Sequence, residues 1–333
     1  MYCRRRVLMM ALGMTAGSAF ASTAGTWRVS GVDRTLGDET SDRSDVNAPL
    51  IITSNDPSVG HTRADIGHNI AAGVAAAQAG AAILHHHLIY KFPEAKTGRV
   101  LDVGGSVELI EGLRERTDAL IQLGMTLASN ESRMAVARAT RVDMFSITLA
   151  DNEHYATPYP PPIFRGRAEM EKLAGFCLDQ GITPEWEIFH SGAAWNLIYL
   201  IKKGLAKPPY YVNLTMYPEG SSWAPRTFAE MDHRVAMLPD ESIWQLVAFA
   251  RGVADPVIPP ISAIEHTRLL TYAILRGGHV RTGREDRPEL KPGVPAESNA
   301  QLVREIADIS VRLGRPVATP AETRRMLAFD AGR

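Results

Sequence analysis

Short apolar runs alternate with longer amphipathic stretches from residue 49 almost to the C-terminus. The apolar runs predict buried strands at Pro49 to Thr53, Ala81 to His87, Ala119 to Leu123 and Met144 to Thr148. Four more follow at Glu185 to Phe189, Tyr210 to Leu214, Ile243 to Ala248 and His279 to Gly283. The amphipathic stretches predict helices, among them Ile66 to Ala79, Ser106 to Arg116, Arg167 to Gln180 and Ala194 to Lys203. A last helix, Ala300 to Leu313, is stopped by Gly314. Eight strands alternating with helices over roughly 280 residues predict an α/β fold of the (β/α)8 TIM barrel type. A doubly wound open sheet is the alternative, but no G-x-G-x-x-G opens a helix and no P-loop is present.

Composition narrows the function classes. The 333 residues are 45% hydrophobic and 22% charged, with a formal net charge of −1. The body of the chain has no long Lys or Arg run, so nucleic-acid binding has no electrostatic footprint. Two cysteines, Cys3 and Cys177, make no disulfide framework, and Cys177 reads as a small core residue. At the N-terminus Arg4-Arg5-Arg6 precedes an apolar stretch from Val7 to Phe20, and Ala19-Phe20-Ala21 has the form of a cleavage site. Residues 1–21 therefore read as a signal peptide of twin-arginine type, 22–47 as a polar arm, and 48–330 as the catalytic barrel. Export to the periplasm is the expectation, with a cytoplasmic location as the alternative. The apolar stretch falls short of the about 20 residues of a permanent membrane span.

The chemistry concentrates where barrel strands end. Ala79-Gly80-Ala81-Ala82-Ile83-Leu84 leads into His85-His86-His87, and strand alternation puts His85 and His87 on one face with His86 on the other. Two imidazoles so placed are half of a zinc or iron site. Glu185 and Glu187 share one parity on the fifth strand. Arg281 and Glu285 belong to the end of the eighth; if that strand runs on, Arg281, Gly283 and Glu285 share a face. A carboxylate there would complete a three-ligand set with an open position. His279 reads as a packed histidine, and His61, His68 and His190 as surface or core residues.

From Pro49 to Phe329 these blocks resemble the β-keto acid cleavage enzymes, of which the 3-keto-5-aminohexanoate cleavage enzyme is the best known. The resemblance is carried by A-G-A-A-I-L-H-x-H, P-E-x-E-x-F with Ser191-Gly192, Lys203-Gly204-Leu205 with Pro208-Pro209, and Leu238-Pro239 with Trp244. G-G-H-V-R-x-G-x-E-D, Ser298-Asn299-Ala300 and Ala318-Thr319-Pro320-Ala321-Glu322 complete it. The resemblance implies zinc at His85, His87 and Glu285, with Asp286 and Arg281 catalytic. It also implies one glutamate supporting them, Glu185 or Glu187. The implied reaction converts a β-keto acid and acetyl-CoA into acetoacetate and a new acyl-CoA. The family is often oligomeric, so a homo-oligomer is expected.

Departures from the family pattern cluster near the site. Leu88-Ile89-Tyr90-Lys91-Phe92 replaces a Val-Arg-Asp run, Gly124 to Ser129 replaces a Gly-rich turn, and Ala150-Asp151 replaces Gly-Ser. Ser146 matches a small polar position and is assigned to the substrate carboxylate. Arg284 and Arg287 flank the Glu285-Asp286 pair and read as added positive charge at the barrel mouth. Asp56 stays open as a ligand, and Pro158 to Pro162 reads as a stiff loop over the mouth. Two alternatives of other classes stand beside the cleavage reaction: a CoA-independent metal-dependent lyase or hydrolase, and an exported metal or ligand binder without catalysis. Arg281 and Asp286 as a structural ion pair is the bland reading of that pair.

Overall fold

In β1 (Ile52–Asn55) every residue is buried, which parallel strands permit because one face looks into a barrel and the other at helices. The computed structural model describes residues 45–55, 61–91, 101–124, 129–140, 142–149, 166–216, 225–250 and 261–329. The leader at 1–21, the arm as far as residue 44, Asp56, residues 125–128 and 150–151, and the loop Pro158 to Pro162 lie outside the described residues. The strands that follow are β2 (Ile83–His86), β3 (Leu120–Leu123), β4 (Met144–Thr148) and β5 (Thr183–Ile188). Then come β6 (Tyr210–Met216), β7 (Ser242–Ala248) and β8 (His279–Thr282). They pair in sequence order, all parallel, and β1 bonds both β2 and β8, closing the barrel. Closure excludes the open doubly wound sheet.

The helices occupy the crossovers: α1 (Ile66–Gln78), α2 (Val103–Arg114), α3 (Asn130–Thr140), α4 (Arg167–Gln180) and α5 (Ser191–Lys202). They continue as α6 (Phe228–Met237), α7 (Ala263–Leu275), α8 (Asn299–Arg312) and α9 (Pro320–Met326). Among the described residues no helix is long and apolar enough to cross a membrane. The motif Ala318-Thr319-Pro320-Ala321-Glu322 now has a physical reading. Thr319 caps α9, Pro320 occupies its first turn, and Glu322 closes a capping box. Cys177 is buried in α4, where burial pushes its thiol up to about 12, as suits a packing residue.

Side-chain parity sorts the barrel into two regions. Outward residues such as Trp186, Val212, Leu214, Trp244 and Leu246 join the main core under the helices. Inward, Ile51, Ile83, Leu120, Met144 and Tyr211 form a floor, sealed by Leu327 and Phe329 just beyond α9. His279 is packed near this level, accepting the Ile51 N–H at 2.9 Å. Burial, then Arg315, lowers its imidazole to about 3.

The first strand differs from expectation, ending at Asn55 rather than Thr53. Leu50 is drawn away: its N–H donates to the Pro316 carbonyl at 2.7 Å, and it bridges Val317 in the C-terminal segment. The strand therefore ladders further along and carries Asn55 to the catalytic end, level with His85.

Close packing between layers gives one test. A Cβ on Gly278 would fall 2.3 Å from Trp244 Cη2, the edge of a buried ring. Gly278→Ala is expected to lower stability by about 1–3 kcal/mol. Chemical denaturation reads this as a lower midpoint at unchanged slope; an unchanged midpoint contradicts the packing.

Candidate active site

The alternation of β2 aims His85 and His87 into the barrel and His86 toward α1, where a Cβ on Gly73 would lie 3.2 Å from His86 Nε2. His85 Nδ1 lies 2.8 Å from Gln122 Oε1. A carbonyl oxygen only accepts, so Nδ1 carries the proton and Nε2 presents a lone pair. Burial, then the Arg281 charge, holds His85 well below the ordinary imidazole range and His87 at about 3. Both rings are therefore neutral at pH 7, with centroids 5.5 Å apart. Gly124 makes room for them: a Cβ there would sit 2.4 Å from His85 Nε2 and 2.8 Å from His87 Cδ2.

The eighth strand corrects one expectation. It does not run on to Glu285; it ends at Thr282, and the chain turns with the N–H groups of Asp286 and Arg287 both donating to the Gly283 carbonyl. Only glycine fits, because a Cβ at 283 would meet the Asn55 carbonyl oxygen at 1.9 Å. The turn brings Glu285 Oε1 within 3.6 Å of His87 Nε2. It also folds Asp286 back under Arg281.

Arg281 and Asp286 form a buried, two-pronged ion pair. Arg281 Nη2 donates to Asp286 Oδ1 at 3.1 Å and Nε to Oδ2 at 3.3 Å. Asn55 Nδ2 donates to Asp286 Oδ1 at 2.9 Å. Arg281 Nη1 lies 3.5 Å from His85 Nε2, so the pair and the histidines form one cluster. Burial raises the Asp286 carboxyl above its usual range despite the opposing pull of Arg281. For Arg281, burial alone lowers the pKa, but the carboxyls of Asp286 and Glu285 outweigh it and the guanidinium stays charged.

Glu185 and Glu187 have different partners. Ser146 Oγ donates to Glu185 Oε2 at 2.6 Å, and Gln245 Nε2 donates to Oε1 at 2.6 Å. Gln245 is itself fixed, because its Oε1 accepts from Thr53 Oγ1 at 2.8 Å and Tyr211 Oη at 2.9 Å. Burial and the neighbouring Glu187 push Glu185 up to about 7, against the pull of Arg281. Glu187 accepts from Thr148 Oγ1 at 2.6 Å. The Ser146 hydroxyl proton, assigned from sequence to the substrate carboxylate, thus points at Glu185.

Arg287 is a correction. It is buried, with Nη1 donating to Thr267 Oγ1 at 2.6 Å, Nη2 to the Leu290 carbonyl at 3.1 Å, and an ion pair to Glu305. Its charge joins α7 to α8. Arg284 keeps an exposed side chain.

His85, His87 and Glu285 suit a divalent metal in donor type, in the fixed tautomer of His85 and in the clearance at Gly124. They are not drawn to one point: among the described residues no three His, Cys, Asp or Glu side chains group as a metal cluster. Gln122, Gln245, Asn55 and Gly124 were missed from sequence. Gln122 and Gln245 each interrupt an apolar strand at an inward parity, which was the available signal.

The beta-keto acid cleavage enzyme profile matches residues 54–329. Over 156 residues the chain is 34% identical to the 3-keto-5-aminohexanoate cleavage enzyme of Acetoanaerobium sticklandii, covering 46% of this chain and 51% of that one. Over 282 residues it is 26% identical to the 3-dehydrocarnitine:acetyl-CoA trimethylamine transferase of Rhizobium meliloti, covering 76% and 85%. The first three relatives are matched over only about half their length. ObcA with oxaloacetate superposes with a TM-score of 0.59 at 13% identity, covering 80% of this chain and 66% of that one, a likeness of fold alone. With the profile spanning nearly the whole barrel, this chain belongs to the beta-keto acid cleavage enzyme family.

Proposed function

We propose that this chain cleaves a β-keto acid with acetyl-CoA, giving acetoacetate and a new acyl-CoA, with zinc held by His85, His87 and Glu285. The observation that carries the reading is the buried Arg281–Asp286 pair, with Arg281 Nη1 3.5 Å from the neutral His85, at the catalytic end. Two relatives are named as a 3,5-dioxohexanoate:acetyl-CoA acetone transferase and a 3-oxoadipate:acetyl-CoA acetyltransferase, which supports the cosubstrate.

Asp286 removes a proton from the carbon between the two carbonyls of the β-keto acid. Burial raises the proton affinity of its carboxylate, and Asn55 with Arg281 holds it in place. The carbanion carbon bonds to the acetyl carbonyl carbon, and the thiolate of CoA leaves. That thiolate adds to the original ketone carbon, the bond from it to the attacking carbon breaks, and the proton returns to the released acetoacetate. Arg281 places fixed positive charge beside the developing enolate oxygen without giving up a proton. A bound divalent metal supplies Lewis acidity toward the β-keto oxygen. Glu185 lies within electrostatic reach of Arg281 and tunes it from below.

The decisive assay incubates the purified protein with a panel of β-keto acids, with and without acetyl-CoA. Acetoacetate forming only with acetyl-CoA supports the proposal; product formed equally without it identifies the CoA-independent lyase or hydrolase.

Elemental analysis should find about one zinc per chain, reduced in His85→Ala and Glu285→Gln. Full metal content in Glu285→Gln would falsify the ligand set. Asp286→Asn is expected to lower kcat by about 10²–10⁴ with metal content retained. A kcat near that of the parent would return the pair to a structural role.

Glu185 generates a pH-dependent stability. Its folded-state pKa lies above the ordinary carboxyl value, so the folded protein holds this proton where the unfolded chain loses it. Its contribution is most favourable at acid pH and declines as pH rises through about 7. Glu185→Gln should therefore raise the Tm at pH 8 relative to the parent, and much less at pH 5. An equal shift at both values contradicts the assignment.

A further inference from the structure

β6 faces the site with polar groups that the protein itself leaves unused. Tyr211, Asn213 and Thr215 share the inward parity, while Val212, Leu214 and Met216 join the outer core. Tyr211 is satisfied by Gln245. Above it, Asn213 and Thr215 are buried, yet Asn213 Nδ2, Asn213 Oδ1 and Thr215 Oγ1 have no hydrogen-bond partner among the described residues. Buried amides are normally bonded, and leaving one unbonded costs stability. The inward glutamate and glutamine of the adjoining strands differ: Glu187 and Gln245, the register neighbours of Asn213, are both bonded. In a closed ring of eight strands, β6 also stands opposite β2, which carries His85 and His87.

We infer that Asn213 is a specificity-determining residue that binds the acyl chain of the β-keto acid. Its amide both donates and accepts, matching a neutral hydroxyl or carboxamide on that chain, with Thr215 offering a further hydroxyl. The surroundings disfavour a second carboxylate on the substrate. Glu185, Glu187, Glu285 and Asp286 all lie toward this end, and Arg281 is already paired with Asp286. Arg287, which from sequence promised extra positive charge, is neutralised by Glu305. The assignment rests on the cleavage reaction proposed above and adds the class of substrate.

The test compares kcat/KM for 3-oxohexanoate, its 5-hydroxy derivative and 3-oxoadipate in the parent protein, Asn213→Leu and Asn213→Ser. The parent is expected to prefer the hydroxylated acid by about tenfold or more. Asn213→Leu should erase that preference by lowering kcat/KM on the hydroxylated acid at least tenfold more than on the alkyl acid, and Asn213→Ser should restore part of it. Asn213→Leu should also raise the Tm, because an apolar side chain of similar volume removes an unbonded buried amide. A fall in Tm, or an equal loss on all three acids, makes Asn213 structural and overturns the inference. An unchanged preference in an active variant overturns it while leaving the reaction standing. No acetoacetate from any acid overturns the reaction, and the substrate assignment with it.

Discussion

The site depends on burying a charge pair, Arg281 with Asp286, at the end of the barrel opposite its apolar floor. Such a pair gains little net stability, but removing one member costs about 3–5 kcal/mol because its partner is left uncompensated. The fold therefore has to hold both together. It does so through the turn at Gly283, where the chain passes so close to Asn55 that no side chain fits. That contact ends β8, folds Asp286 beneath Arg281 and lifts Glu285 toward His87. The ladder of β1, extended to Asn55, supplies the other wall.

Around the pair, hydrogen bonds set the protonation and orientation of each group. Gln122 fixes the His85 tautomer, while Gln245, anchored by Thr53 and Tyr211, aims its amide at Glu185. Burial keeps the histidines neutral and raises the proton affinity of Glu185. One guanidinium, two neutral imidazoles and carboxyls of raised proton affinity suit the carbanion chemistry proposed for this site.

Much of the fold was legible because a parallel barrel writes each strand as a continuous apolar run. All eight runs became strands, with shifts at their ends. The site was legible where residue type and strand parity carried the message, as at His85, His87, Glu185 and Glu187. Parity did not place Glu285 and Asp286, which the family resemblance pointed to; a turn with the Asp286 and Arg287 N–H groups bonded to the Gly283 carbonyl positions them. Arg287 shows the same limit, since its pairing with Glu305 of α8 spans elements that no local pattern connects. Gln122 and Gln245 were visible as polar breaks in apolar strands, but their partners lie across the barrel.

The central claim is that the acetyl group of acetyl-CoA becomes the ketone end of acetoacetate. Turnover with acetyl-CoA labelled with ¹³C at its carbonyl carbon, followed by NMR of the products, tests this directly. The account predicts the label at the ketone carbon of acetoacetate and none in the acyl group of the new thioester. Label in that acyl group, or acetoacetate without label, would contradict it.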